Sequence, residues 1–300
     1  MPKVHRKVPA PLIQIPHLPH CQVTENAVDV DGCRVRYLRA GAGPPLVLVH
    51  GLLGYSFSWR YNIPALAQHR TVYALDLPGM GFSERKQGLD VSFRASASRL
   101  HRFMSAVGIG AAELVGSSHG GALAMVAASL DPDRIRQLVL VSPVNPWSSQ
   151  GVLLTRVLSL LGAAAFRCVY SLVRIRGRKH LEAMYGDPRR IPPGTLEGYA
   201  APLAVTGTCE HLHRVVCGWQ DGVRQVLGAL PTIAHIPTFL IWGELDRAVY
   251  PQSAYSLYRH FKSARLHIFR GAGHIPYEEV PWEFNRAVVN FLATRMLKAS

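Results

Sequence analysis

The stretch Glu113-Leu-Val-Gly-Ser-Ser-His-Gly-Gly-Ala-Leu-Ala124 runs from an apolar, β-branched segment into a run of small residues with helical character. Between them stands Gly116-Ser117-Ser118-His119-Gly120, a G-x-S-x-G. A serine on a sharp strand-to-helix turn needs minimal neighbours two residues to either side, because the backbone there closes on itself. Gly116 and Gly120 meet that need, and Gly121 lets the following helix approach the sheet. The turn lifts the Ser118 hydroxyl above the strand ends. It also leaves the His119 backbone N–H at a helix N-terminus, where an oxyanion would be stabilised.

Outward from this turn the chain alternates. Asn26–Val30 and Arg34–Ala40 flank Asp31-Gly32, a two-residue hairpin signal. Six short apolar runs follow, of the kind that fill buried parallel strands: Pro45–Val49, Thr71–Leu75, Glu113–Gly116, Gln137–Val141, Thr238–Trp242 and Arg265–Phe269. Helical patterns separate most of them, clearest at Ser92–Val107, Gly120–Leu130, Pro251–Phe261 and Glu283–Leu297. The order predicts an α/β protein with a mostly parallel, doubly wound sheet of about eight strands. Between about Pro146 and Leu230 strand-like runs disappear and leucines recur at helical spacing, so an all-helical insertion is expected. The expected organisation is a flexible arm over residues 1–22, a core over 23–145 and 231–300, and a helical insertion over 146–230.

A serine hydroxyl is a poor nucleophile until a base takes its proton. Of the 14 histidines, His274 follows the last strand in Gly271-Ala-Gly-His-Ile-Pro276, where glycines let a loop carry the imidazole inward. His50 sits just after a strand and is expected to shape its loop through ring hydrogen bonds, and the His119 side chain is expected to point away from the Ser118 hydroxyl. The acid that orients the base is expected at Asp246, in Gly243-Glu-Leu-Asp246 after a strand, with Glu244 as its rival. The chain order Ser, Asp, His is the one expected of this architecture. A second oxyanion donor is expected from the Leu52 backbone N–H in His50-Gly-Leu-Leu-Gly54, opposite His119.

These residues resemble the α/β-hydrolase fold superfamily, in its serine-nucleophile branch with a helical cap. The resemblance rests on His50-Gly51, Asp76-Leu-Pro-Gly-Met-Gly-Phe-Ser83, the Gly116 to Gly121 turn, Gly243 to Asp246 and Gly273-His274. It covers roughly residues 26–145 and 231–297. It implies Ser118, Asp246 and His274 as a catalytic triad, Leu52 and His119 as the oxyanion hole, and residues 146–230 as a cap over the site. The Asp76 segment is similar to that of epoxide hydrolases, haloalkane dehalogenases, C–C bond hydrolases and small esterases. The first two attack with a carboxylate where this chain has Ser118, which disfavours their chemistry. Asp76 itself reads as structural.

Composition bounds the remainder. Apolar residues make up 48%, ample for a core, and 33 Lys and Arg against 19 Asp and Glu give a net charge of +14. No run of five basic residues and no recognition motif accompanies that charge, which argues against nucleic acid as a partner. Cys21, Cys33, Cys168, Cys209 and Cys217 are scattered, without a C-x-x-C pair, and argue against a disulfide framework and a metal site. A cytoplasmic protein without cofactor or metal, acting on a small-molecule substrate, is expected. The apolar segment Gly151–Val173 contains Arg156 and Arg167, which disfavours a membrane span, but Arg174, Arg176, Arg178, Lys179 and His180 follow at once. That pairing fits a helix lying on an anionic membrane surface; the plainer alternative is a helix packed on the core with solvated arginines. The functional expectation is cleavage of a carboxylic ester of an apolar or lipid-like substrate through an acyl-enzyme. The alternatives are a C–C bond hydrolase of a diketone-like ring-cleavage product and a low-turnover binding protein on the same fold.

Overall fold

The computed structural model describes residues 21–148 and 155–294. The expected N-terminal arm therefore lies almost wholly outside the described residues, as do the start of the apolar segment and the end of the helical pattern expected over 283–297. An opening hairpin, β1 (Val23–Val30) and β2 (Cys33–Ala40), leads into β3 (Pro45–Val49), the short helix α1 (Ile63–Leu66) and β4 (Thr71–Leu75). Then come α2 (Phe93–Ala106), β5 (Ala112–Ser117), α3 (His119–Leu130) and β6 (Ile135–Val141). A helical run follows, comprising α4 (Ala163–Ile175), α5 (Gly177–Met184), α6 (Thr195–Leu203), α7 (Thr208–Cys217) and α8 (Trp219–Ile233). The chain re-enters the sheet at β7 (Thr238–Gly243), continues through α9 (Gln252–Tyr258) and β8 (Ala264–Phe269), and closes with α10 (Pro276–Glu279) and α11 (Pro281–Ala293).

The eight strands form one sheet in the order β1-β2-β4-β3-β5-β6-β7-β8, antiparallel at β1–β2 and β2–β4 and parallel elsewhere. Both faces are covered, and strand alternation decides which side chain goes where. Val47 and Val49, Leu114, Leu138 and Leu140, and Leu240 enter the layer shared with α2, α3 and α8. Leu46 and Leu48, Val115, Val139 and Val141, and Ile241 enter the opposite layer with α1 and α11. The apolar segment from Gly151 is not one helix. It breaks at Leu161 and Gly162, and α4 starts afresh from Gly162, whose extended backbone (φ −63°, ψ 159°) precedes the first helical residue.

This strand order has a consequence for the site. From β3 the chain crosses to β4 on one side, then returns to β5 on the other, so the connections leaving β3 and β5 diverge. In open α/β sheets the crevice at such a switch point, beyond the carboxyl ends of the strands, is where ligands bind. Val49 pairs with Gly116 there, so the His50-Gly51-Leu52 turn and Ser118 emerge side by side.

The glycines of that turn are forced by contact. A Cβ on Gly116 would lie 2.6 Å from the Gly120 carbonyl oxygen, and one on Gly120 would lie 2.4 Å from the backbone oxygens of both Val49 and His50. Gly110, by contrast, has open space where its Cβ would be. Gly120→Ala is therefore expected to destabilise the protein by about 3 kcal/mol or to prevent folding, while Gly110→Ala stays within about 0.5 kcal/mol of the parent. Urea unfolding of the two variants checks the contrast; equal midpoints would refute the steric argument.

Candidate active site

Ser118 sits between β5 and α3 with φ 52° and ψ −117°, a conformation that L-residues seldom adopt and that costs on the order of 1–3 kcal/mol. The surroundings hold it there. Its N–H donates to the Val141 carbonyl of the neighbouring strand at 2.9 Å. Its own carbonyl accepts from the N–H groups of Gly121 and Ala122 at 3.1 Å and of Val144 at 3.0 Å. The side chain is half-buried and opens into a cavity of about 1220 Å³ whose wall also carries Gly51, Leu52 and His274.

His274 and Asp246 meet. The imidazole Nδ1 donates to Asp246 Oδ2 at 2.9 Å, and the Asp246 side chain is fully buried. Asp246 Oδ1 accepts two more hydrogen bonds, from the Ala248 and Val249 N–H groups, each at 2.9 Å. The carboxylate is thus fixed from one side and fixes the ring from the other. With its proton held on Nδ1, the imidazole keeps the Nε2 lone pair for the cavity. Glu244, the rival acid, is exposed and instead accepts from the Gly271 N–H at 2.9 Å, bracing the base of the histidine loop. Among the described residues no hydrogen bond joins the Ser118 hydroxyl to His274; in unliganded sites such contacts are often open and tighten around substrate.

The two expected backbone donors are both unspent. Among the described residues neither the Leu52 nor the His119 N–H donates to a protein acceptor. A Cβ on Gly51 would lie 3.2 Å from Ser118 Cβ, which places the Leu52 turn against the serine. Leu53, next in that turn, takes φ 65°, unusual for a bulky residue. His50, fully buried, accepts the Leu77 N–H on Nε2 at 2.9 Å and donates from Nδ1 to the Gly51 carbonyl at 2.8 Å, so it shapes this loop. Asp76 supports the next one: it accepts from the Ser56 and Phe82 N–H groups at 2.8 Å and pairs with Arg36 at 3.0 Å.

The His119 ring leaves the site altogether. It stacks on Trp219 with centroids 5.6 Å apart and meets the edge of Phe93 at 5.0 Å. Its Nδ1 and that of His211 are buried without a protein partner, and both rings border a cavity of about 10 Å³, the size of a single water. Burial above all depresses His119 to about 3, with His50 and His211 adding to it, and depresses His211 to about 4.

A second group of residues went unforeseen. Glu278 and Glu279 follow His274 on α10, and both are buried. Glu279 accepts from the Gly273 N–H at 2.7 Å, inside the histidine loop, and from the Gly186 and Asp187 N–H groups at 2.9 Å, inside the helical insertion. Glu278 pairs with Arg60 at 2.9 Å, accepts from Tyr185 Oη at 2.9 Å and makes a short hydrogen bond with Tyr199 Oη. The His274 N–H itself donates to the Met184 carbonyl at 2.7 Å. The loop that carries the imidazole is therefore latched to the insertion. Two adjacent glutamates shortly after His274 and Pro276 are the sequence signal, but their partners in the insertion lie 79 to 93 residues away.

Two measurements follow from this geometry. His119 and His211 are neutral when folded and take up a proton when unfolded, so stability present above pH 6.5 is lost as pH falls toward the depressed values. At pH 5, His119 and His211 should each cost on the order of 2 kcal/mol, and urea midpoints at pH 7.5 and pH 5 read it; identical midpoints would contradict neutral burial. Glu279→Gln keeps the shape of the latch but turns an amide NH2 toward a backbone N–H that a carboxylate oxygen now accepts. It is expected to lower the thermal midpoint by several degrees and, in the still-folded protein, to slow the reaction of Ser118 with a fluorophosphonate probe about tenfold. An unchanged labelling rate would show that the latch does not set the position of His274.

A model of the alpha/beta hydrolase fold matches residues 44–281. An uncharacterised protein of Mycobacterium tuberculosis (strain ATCC 25618 / H37Rv) is 29% identical over 279 residues, covering 88% of this chain and 80% of its own. The 2-hydroxymuconate semialdehyde hydrolase of Pseudomonas sp. (strain CF600) is 28% identical over 275 residues, covering 87% and 91%. Among solved structures, a putative lipase from Acinetobacter baumannii superposes with a TM-score of 0.77 at 23% identity, covering 92% of this chain and 93% of that one, which speaks for the fold. The strand order, the serine turn and the family match agree: this chain belongs to the alpha/beta hydrolase fold family.

Proposed function

We propose that the protein is a serine hydrolase that cleaves a carboxylic ester bearing a long apolar group, with Ser118 as nucleophile, His274 as base and Asp246 as the acid that orients it. The observation that carries this reading is the Asp246–His274 hydrogen bond of 2.9 Å, poised on the wall of the cavity into which the strained Ser118 opens. In the first half-reaction Ser118 Oγ bonds to the ester carbonyl carbon as its proton passes to His274 Nε2. The oxyanion formed is held by the Leu52 and His119 N–H groups, each such donor being typically worth about 10²–10³ in turnover. Collapse breaks the ester C–O bond, and the leaving alkoxide takes the proton from His274. Water then attacks the acyl-enzyme with the same base, releasing the acid and restoring Ser118.

The apolar preference is supported by the cavity. At about 1220 Å³ it exceeds the usual range of small-ligand pockets, and Leu158, Phe166, Val169, Leu203, Leu212 and Val216 line much of it. One specific observation favours a second reading, hydrolysis of a C–C bond in a diketone-like acid. Arg174, Arg178 and Arg247 border the cavity and offer a carboxylate partners, and the Pseudomonas relative is named for such a substrate. These cations are exposed and stand with the rim rather than with the apolar wall, so the ester reading is preferred.

Wild type should react with a fluorophosphonate probe, and Ser118→Ala should lose both labelling and about 10⁶-fold in kcat. Across p-nitrophenyl esters of rising chain length, kcat/KM should climb by up to about fourfold per buried methylene. A preference for acetate, or faster turnover of a ring-fission product than of any ester, would overturn the ester reading. A folded wild type that takes no label would make the protein a binding module.

A further inference from the structure

We propose that the outer surface of the helical insertion docks on an anionic lipid bilayer, bringing the mouth of the cavity against the membrane. The helix α4 is apolar on two sides. Phe166 and Tyr170 turn inward and are buried, and Val169 and Val173 border the cavity with them. Cys168 and Leu172 lie on the other side, four residues apart, and face solvent, Leu172 at 50% exposure, while Ile175 at the end of the helix is 80% exposed at the cavity mouth. Leu160, just before α4, is 81% exposed and Val157 is 52% exposed. A helix with apolar residues on both sides is explained by the protein core on one of them only.

The charge around this surface selects its occupant. Arg156, Arg167, Arg174, Arg176, Arg178 and Lys179 surround it, all of them exposed. Among the described residues Arg156, Arg174, Arg176 and Lys179 form no ion pair, while Arg178 pairs with Glu182 within its own helix and Arg167 lies 4.0 Å from Glu210. Apolar side chains rimmed by uncompensated cations match a bilayer interface, where leucine and isoleucine enter the acyl boundary and arginine and lysine stay among acidic headgroups. A second copy of this chain fits poorly, because a two-fold contact would press like cations together on proteins of net charge +14. No helix among the described residues is long and apolar enough to cross a membrane, so the contact is with its surface.

Continuity with the cavity gives the docking a purpose. Ser171, Arg174, Ile175 and Arg178 are exposed and also line the cavity, so its mouth opens within the same patch. Seated on a bilayer, the protein would receive an apolar substrate without passing it through water. That purpose rests on the hydrolytic reading; the docking itself does not.

The test is co-sedimentation of the full chain with vesicles of phosphatidylcholine alone or mixed equally with phosphatidylglycerol, at low and at high salt. Binding is expected to the mixed vesicles and to weaken with salt. The paired substitution Arg176→Gln with Lys179→Gln, and separately Leu160→Ser with Leu172→Ser, should each weaken it by about tenfold or more at an unchanged thermal midpoint. None of these four residues lines the cavity. Ser118→Ala should bind vesicles like the parent, which separates a failure of docking from a failure of the hydrolytic reading. Equal binding to neutral and anionic vesicles, or no binding to either, overturns the proposal. So does a concentration-dependent dimer that the leucine substitutions abolish, which would assign the surface to a second copy.

Discussion

The backbone of Ser118 is held in a conformation it would not adopt on its own, and much of the site is arranged around that compulsion. The turn closes because Gly116, Gly120 and Gly121 allow β5, α3 and the exit of β3 to approach at distances that no Cβ would tolerate. Once closed, it is pinned through the Ser118 carbonyl, which accepts from the start of α3 and from Val144 beyond β6. The strain is thus distributed over several ordinary hydrogen bonds, which a sheet of this size carries easily. What the turn obtains is direction: the side chain faces the cavity at the switch point of the sheet, while the His119 ring is turned away into an aromatic stack.

Much of this was legible in the chain because its signals are local. Parallel strands announce themselves as short apolar runs, and all six of those expected after the hairpin are present within about two residues. The glycine pattern around Ser118 forecasts a contact between segments near in sequence. His274 and Asp246 were recognisable since each closes a strand with a glycine-bearing turn, and strand ends gather at one edge of a parallel sheet. Asp246 rather than Glu244 meets the imidazole because two backbone N–H groups, of Ala248 and Val249, bind its other oxygen and aim it. That detail depends on the curl of the loop and has no signature in composition.

Other features were not legible, for the opposite reason. Arg70 and Glu113 form a buried ion pair at 2.7 Å at the edge of the sheet away from the site, and nothing near either residue names the other. The break before α4 was hidden inside a largely apolar stretch, since a single glycine at Gly162 weighs little against the sixteen apolar residues of 151–173 until tertiary contacts decide. The Glu278 and Glu279 latch is the clearest case. Its carboxylates gather donors from Arg60, from Tyr185 and Tyr199, and from the backbone at Gly186 and Gly273, five places that only the fold unites.

That latch makes the insertion and the imidazole loop a single mechanical unit. Heat or denaturant that lifts the helices away must also release the contacts that hold the His274 loop, so the placement of the imidazole would be lost before the sheet itself melts. The same coupling limits how such a family diversifies. An insertion that did not bring tyrosines and backbone amides to these two carboxylates on the core would leave buried negative charge unanswered. New substrate pockets are then reached more readily by altering the inner faces of the resident helices than by exchanging the helices wholesale.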